Sequence, residues 1–207
     1  MDRKVLFLIG SGFFLFFVLF SFLVHKDIST QFDFDTTVRL QDNISRRFDE
    51  PFSVFSDIGS FEPVLVFLIL ILILRRKIWG IITLGLFGLI HIVELYGKFF
   101  IDHLPPPEFM LRTIRLVEFP QFHVRSEFSY PSGHSARAMF LTVLLGAITI
   151  RSKKFSYTQK LIIICILSLY DIAMFISRIY LGEHWASDVI GGGILGFSLG
   201  ILSVFML

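Results

Sequence analysis

Six stretches of this chain are apolar for long enough to approach or reach the span of a bilayer, and that leaves few architectures open. A helix needs about 20 mainly apolar residues to cross a hydrocarbon core of roughly 30 Å. Inside it the segment must satisfy its own backbone hydrogen bonds. The runs cover 5–24, 58–74, 78–96, 136–150, 161–176 and 189–207. The fourth and fifth are short, so their ends must extend into flanking residues. Charged residues make up only 17% of the chain, against about 25% in soluble domains, and the mean hydropathy is +0.74. The expectation is an all-α integral membrane protein with six transmembrane helices, forming a single domain over 1–207 whose core covers about 58–207. Arg3 and Lys4 precede the first run, but no small-x-small cleavage site follows it, so it reads as an uncleaved anchor.

Lysine and arginine in short loops stay on the cytoplasmic side. With the N-terminus inside, the cytoplasmic segments hold Arg3, Lys4, Arg75, Arg76, Lys77, Arg151, Lys153, Lys154 and Lys160, against Asp2 alone. That asymmetry predicts both termini in the cytoplasm of a cell membrane, with residues near 25–57, 98–133 and 179–187 outside. The overall balance of +2 is too small to suggest a nucleic-acid groove, and one cysteine, Cys165, excludes an intramolecular disulfide. Leu40, Ile44 and Phe48 recur at helical spacing with charged residues between them, the stripe either of an interfacial helix or of a soluble loop helix. Gly192, Gly196 and Gly200 form a small-residue row that permits close helix packing.

Ionisable groups at membrane depth are costly and point to function. Here they gather at the outer ends of the third to sixth spans: Lys98 followed by Pro105, Pro106 and Pro107; Tyr130-Pro131-Ser132-Gly133-His134; Ser177-Arg178; and His184 with Asp188. A helix starting at Pro131-Ser132-Gly133 exposes unpaired N–H groups and the positive end of its dipole, a seat for phosphate. Lys98 and Arg178 would add charge-assisted donors. Four-residue spacing lets Asp188 hold one ring nitrogen of His184 and leave the other free as a nucleophile or base. His134 then has a separate task, since one neutral and one protonated imidazole can divide phosphate-ester hydrolysis into two easier steps.

These residues resemble the three signature motifs of the type 2 phosphatidic acid phosphatase superfamily, membrane lipid-phosphate phosphatases related in fold to vanadium haloperoxidases. The resemblance covers about Ile58 to the C-terminus. It implies a helical bundle of that kind, with His184 as nucleophile, Asp188 as its orienting partner and His134 as general acid. Lys98, Ser132, Gly133 and Arg178 would bind the phosphate, and no metal or other cofactor is required. The substrate would be a lipid phosphate or pyrophosphate taken laterally from the bilayer, such as phosphatidic acid, phosphatidylglycerol phosphate or a polyprenyl pyrophosphate. The first motif departs from the pattern, because Pro105 stands where an arginine is expected. Arg112, Arg115, Arg125, Arg137 and His103 lie on the same side, and Arg125 and Arg137, which flank the second motif, are the leading substitutes.

Blander roles compete for some of these residues. Lys98 has an ion-pair candidate in Glu94, four residues earlier. His91 and Glu94 read as buried polar contacts, and Asp171 as an internal partner, with Arg178 the candidate mate. Two other functions use the same residues: a metallohydrolase with His91, Glu94, His184 and Asp188 as ligands, or a protein that binds lipid phosphates without cleaving them.

Overall fold

The computed structural model describes residues 2–75, 80–114 and 127–206. Among these every regular element is helical. α1 (Arg3–His25) is followed by α2 (Thr30–Asn43), α3 (Asp49–Ile58) and α4 (Phe61–Arg75), then α5 (Gly80–Phe100), α6 (Gly133–Arg151), α7 (Tyr157–Tyr180) and α8 (Ala186–Met206). α1, α5, α6, α7 and α8 are long and apolar enough to cross a membrane. The fourth and fifth sequence runs do extend at both ends, as their shortness required.

The second run departs from a simple span. α4 has 15 residues, about 22 Å of helix. It joins the helical stretch Arg46–Ile58 through a 47° bend at a short break, the geometry of a broken span or of a re-entrant loop, and the described helices therefore give five candidate spans, or six if the bent pair is one. The charged stripe before it also differs from expectation. α2 ends at Asn43 and Ile44 is extended, so Leu40, Ile44 and Phe48 do not share one helix. α2 is not a detached loop helix. It packs on the ends of α7 and α8, where Gln41 Nε2 donates to the carbonyls of Met110 (2.7 Å) and Tyr180 (2.9 Å).

The bundle is built around α8, which packs against α6, α1 and α5. Its buried Leu195 and Leu199 share a core with Phe140 and Leu144 of α6, Phe87 and Ile90 of α5, and Phe17 and Val24 of α1. Outward, the polarity of a soluble protein is reversed. Phe7, Leu8, Leu15, Phe16, Leu19 and Phe22 of α1 and Ile162, Ile166 and Leu169 of α7 are exposed, which suits a surface that meets lipid. The chain is a multi-pass membrane protein.

The glycine row of α8 is the contact surface with α6. A Cβ at Gly192 would lie 2.2 Å from the Ser132 carbonyl oxygen, and one at Gly196 would lie 2.1 Å from that of Ala136. Both obstacles are backbone and cannot rotate away. Gly196→Val is therefore expected to force the helices apart and destabilise the bundle by about 3 kcal/mol or more, read as a lowered Tm in detergent. An unchanged Tm would show that α6 and α8 are not held at this distance.

Candidate active site

The C-terminal ends of α5 and α7 and the N-terminal ends of α6 and α8 meet at one end of the bundle, and every site residue predicted from the sequence that is described lies there. α6 begins as its sequence requires. Ser132 is the N-cap, its Oγ accepting from the Ser135 N–H (3.5 Å) and the Ser135 hydroxyl (3.1 Å). The Ser132 N–H donates to the Asp188 carbonyl (3.0 Å), which ties the start of α6 to α8.

The pair expected from its four-residue spacing is present. His184 Nδ1 lies 3.2 Å from Asp188 Oδ2. A carboxylate only accepts, so Nδ1 carries the proton and Nε2 holds the lone pair. The same carboxylate oxygen accepts the Trp185 N–H at 3.0 Å. Burial holds the pKa of His184 below that of an ordinary histidine, with the charges of Arg178 and Lys98 adding to the effect, although Asp188 pulls the other way.

His134, just inside α6, is close enough to His184, Arg178 and Arg137 for their charges to interact. Its Nε2 is 3.4 Å from Ser60 Oγ. Ser60 belongs to the break between α3 and α4, a polar cradle under the site that the sequence reading did not single out. There Arg137 Nε donates to the Gly59 carbonyl (3.2 Å) and Arg178 Nη1 to Ser56 Oγ. Arg178 also pairs with Glu183, and its buried Nε has no hydrogen-bond partner among the described residues.

Lys98 and Arg137 converge on one carboxylate. Glu94 Oε1 lies 2.8 Å from Lys98 Nζ, and Oε2 lies 2.7 Å from Arg137 Nη1 and 3.4 Å from His91 Nδ1. The Glu94 ion pair foreseen for Lys98 thus forms. The carboxylate sits against the start of α6, where a Cβ at Gly133 would meet its carbon and both oxygens at 2.2 Å. An anion therefore already occupies the space that Gly133 leaves open, held by two cations beside a helix N-terminus.

Of the proposed substitutes for the missing first-motif arginine, Arg137 is buried inside this cluster, whereas Arg125 and Arg115 lie outside the described residues. Arg112 is turned to the Tyr180 ring, 5.0 Å from its centroid. Asp171 is not the mate of Arg178; it accepts from Thr142 Oγ1 at 3.1 Å. His91 and Glu94 are buried or half-buried polar contacts as expected. Among the described residues no three His, Cys, Asp or Glu side chains are grouped so as to hold a metal ion.

The loop after α5 passes over the site. Beyond α5, the Trp185 indole N–H donates to the Leu104 carbonyl (2.7 Å), and the Arg112 N–H to that of Leu181 (2.9 Å). Thr113 Oγ1 donates to Glu183 at 2.5 Å. The prolines at 105–107 therefore lie in a roof pinned to the α7–α8 connection.

Known proteins resemble this chain in sequence and in fold. The chain is 30% identical over 132 residues to phosphatidylglycerophosphatase B of Bacillus subtilis (63% of the chain, 58% of the relative), and 33% identical over 139 residues to an undecaprenyl-diphosphatase of Sulfolobus acidocaldarius (66% and 59%). It thus spans less than two thirds of either relative. Its fold is that of a transmembrane PAP2 type phosphatidylglycerolphosphate phosphatase from Bacillus subtilis, with a TM-score of 0.76 at 24% identity over 94% of this chain and 93% of that one. LpxE of Aquifex aeolicus gives 0.60 at 24% identity, over 83% and 94%. Residues 78–207, which carry all three motifs, match the PAP2 superfamily, and the chain belongs to that family.

Proposed function

We propose that this protein hydrolyses a lipid phosphate or lipid pyrophosphate at the outer face of the membrane, through a phosphohistidine on His184. The observation that carries the reading is the convergence of a carboxylate-bound His184, a second imidazole at His134 and the cations Lys98, Arg137 and Arg178 around the N-terminus of α6. The names of the relatives, one a phosphatase and the other a diphosphatase, favour that chemistry. The excess of basic residues at the other end of the bundle favours an outward-facing site and cytoplasmic termini.

In the first step the Nε2 lone pair of His184 forms a bond to phosphorus as the bond to the leaving oxygen breaks. His134 gives that oxygen its proton, and Asp188 balances the positive charge gained by the His184 ring. In the second step His134 takes a proton from water, the water oxygen bonds to phosphorus and the Nε2–P bond breaks, releasing phosphate. Lys98, Arg178, Arg137, the Ser132 hydroxyl and the Gly133 N–H serve the equatorial oxygens, where charge accumulates. A lipid substrate suits a site at helix ends beside the bilayer.

The test is phosphate release by the purified chain from a panel of lipid monophosphates and pyrophosphates, with and without chelator. Release from at least one class that survives chelation is expected. Release from none would end the proposal, and release abolished by chelator would favour a metallohydrolase instead.

The pH dependence follows from His184. The attacking form is neutral, and a pKa lowered by burial keeps it neutral to lower pH than a free histidine. The acidic limb of kcat/KM is therefore expected below the ordinary histidine value of about 6.5. An acidic limb above that value would contradict a buried nucleophile.

A further inference from the structure

Asp188 has a second imidazole partner. His103, in the loop after α5, places Nδ1 2.9 Å from Asp188 Oδ1, the carboxylate oxygen that His184 does not use. Its other nitrogen, Nε2, lies 3.6 Å from Asp33 Oδ2 of α2. Asp33 is fixed in turn by the neighbour of Asp188: the Ser187 N–H donates to Oδ1 and the Ser187 hydroxyl to Oδ2, each at 2.7 Å. Asp33, His103, Ser187 and Asp188 are all buried. The row Asp33–His103–Asp188–His184 joins α2, the loop after α5 and the start of α8.

We infer that His103 and Asp33 are positioning residues for the nucleophile: an imidazolium clamped between two carboxylates fixes the orientation and charge of Asp188, and through it His184. This rests on His184 being the nucleophile. Asp33 lies outside residues 78–207, so the segment after the first span becomes part of the working site.

Both ring nitrogens of His103 face acceptors, and both can donate only if the ring is protonated. Burial alone would disfavour that charge, but hydrogen bonds to Asp188 and Asp33, together with their charges, outweigh it and raise the pKa to about 9. The groups facing His103 are Asp33 from α2 and Asp188 from α8. Asp27 and Asp102 line the same cavity of about 770 Å³, and His184 lies beyond Asp188. The imidazolium offsets part of the Asp188 charge, so Asp188 holds the His184 proton on Nδ1 without making Nε2 too basic to stay free. Without that offset, the neutral form of His184 would appear only at higher pH.

The test is the pH profile of the purified full chain on a lipid phosphate that it cleaves. His103→Asn is expected to lower kcat by about 10²-fold, the scale of a misplaced reacting group, with little change in KM. The acidic limb of kcat/KM should rise by about 1 pH unit, the lower end of the effect of a nearby charge. Asp33→Asn keeps the shape but removes one carboxylate, so the His103 ring should titrate below about 9, toward the ordinary histidine value, as read by NMR of the ring, and the acidic limb of kcat/KM should rise in the same direction as in His103→Asn but by less. A folded His103→Asn with wild-type kcat and unmoved limbs overturns the inference, as does a lowered Tm with unmoved limbs. Should His103→Asn fail to fold, an Asp33→Asn variant in which the His103 titration and the acidic limb are both unmoved overturns it equally. His184→Ala separates the two readings. Activity that survives it removes the nucleophile itself, whereas a dead His184→Ala beside unmoved His103→Asn limbs removes only the role given to His103 and Asp33.

Discussion

His184→Ala is expected to abolish phosphate release, by at least about 10⁴-fold, while the helical bundle stays folded. The magnitude follows from what the side chain supplies. Phosphate monoester hydrolysis is among the slowest uncatalysed reactions known, and removing a nucleophile costs about as much as removing the whole group that works with it. Lys98, Arg178 and the start of α6 would still bind the phosphate, so binding should persist where turnover does not. The fold should tolerate the change because Asp188 is not orphaned: its two oxygens keep His103 Nδ1 and the Trp185 N–H. The measurements are phosphate release, binding of inorganic phosphate and Tm in detergent. Wild-type turnover in the variant would refute a phosphohistidine at this position, and loss of Tm alongside activity would mean that the ring is needed for packing.

The spans were legible because the bilayer imposes one requirement, length of apolar helix, that a linear scan reads directly. The exception is instructive. The run over 58–74 becomes α4 plus a bent extension, because Ser56, Gly59 and Ser60 are needed at the break to meet Arg178, Arg137 and His134. The site was legible where its partners are close in sequence, as with His184 and Asp188 four apart, or Ser132 capping the helix that carries His134. It was hidden where they are distant. Asp33 reaches Ser187 across 154 positions and Gly59 reaches Arg137 across 78, and no periodicity connects such residues. His103 was noted only as a neighbour of the departed motif. No sequence signal marked Asp33, because its burial, and with it the need for partners, is a fact of the structure. Glu94 was read as a plain buried contact, which it is. Its seat against Gly133 follows from the crossing of α5 and α6, a fact of packing alone.

Arg137→Ala is the other change with a large expected effect, because Arg137 stands in two relations at once. It lies three residues after His134, on the same face of α6, and its guanidinium is 99% buried between Glu94 and the Gly59 carbonyl. As the substitute for the arginine missing from the first motif, it would serve the transition-state charge. Loss of one such donor costs about 10²–10³-fold in kcat. As one of two cations on Glu94 it helps to neutralise a buried carboxylate that Lys98 also contacts, so its removal costs part of the roughly 3–5 kcal/mol of a broken buried pair. Both losses are expected in Arg137→Ala, so that variant alone does not separate them. The double variant Arg137→Met with Glu94→Gln does, because it removes the buried carboxylate together with the guanidinium and leaves only Lys98, which is partly exposed, without its Glu94 partner. Its Tm should return most of the way to wild type while kcat stays depressed by about 10²-fold. Recovery of activity together with stability would show that Arg137 serves the fold alone, and the missing arginine would then have to be sought among the residues of the loop between α5 and α6.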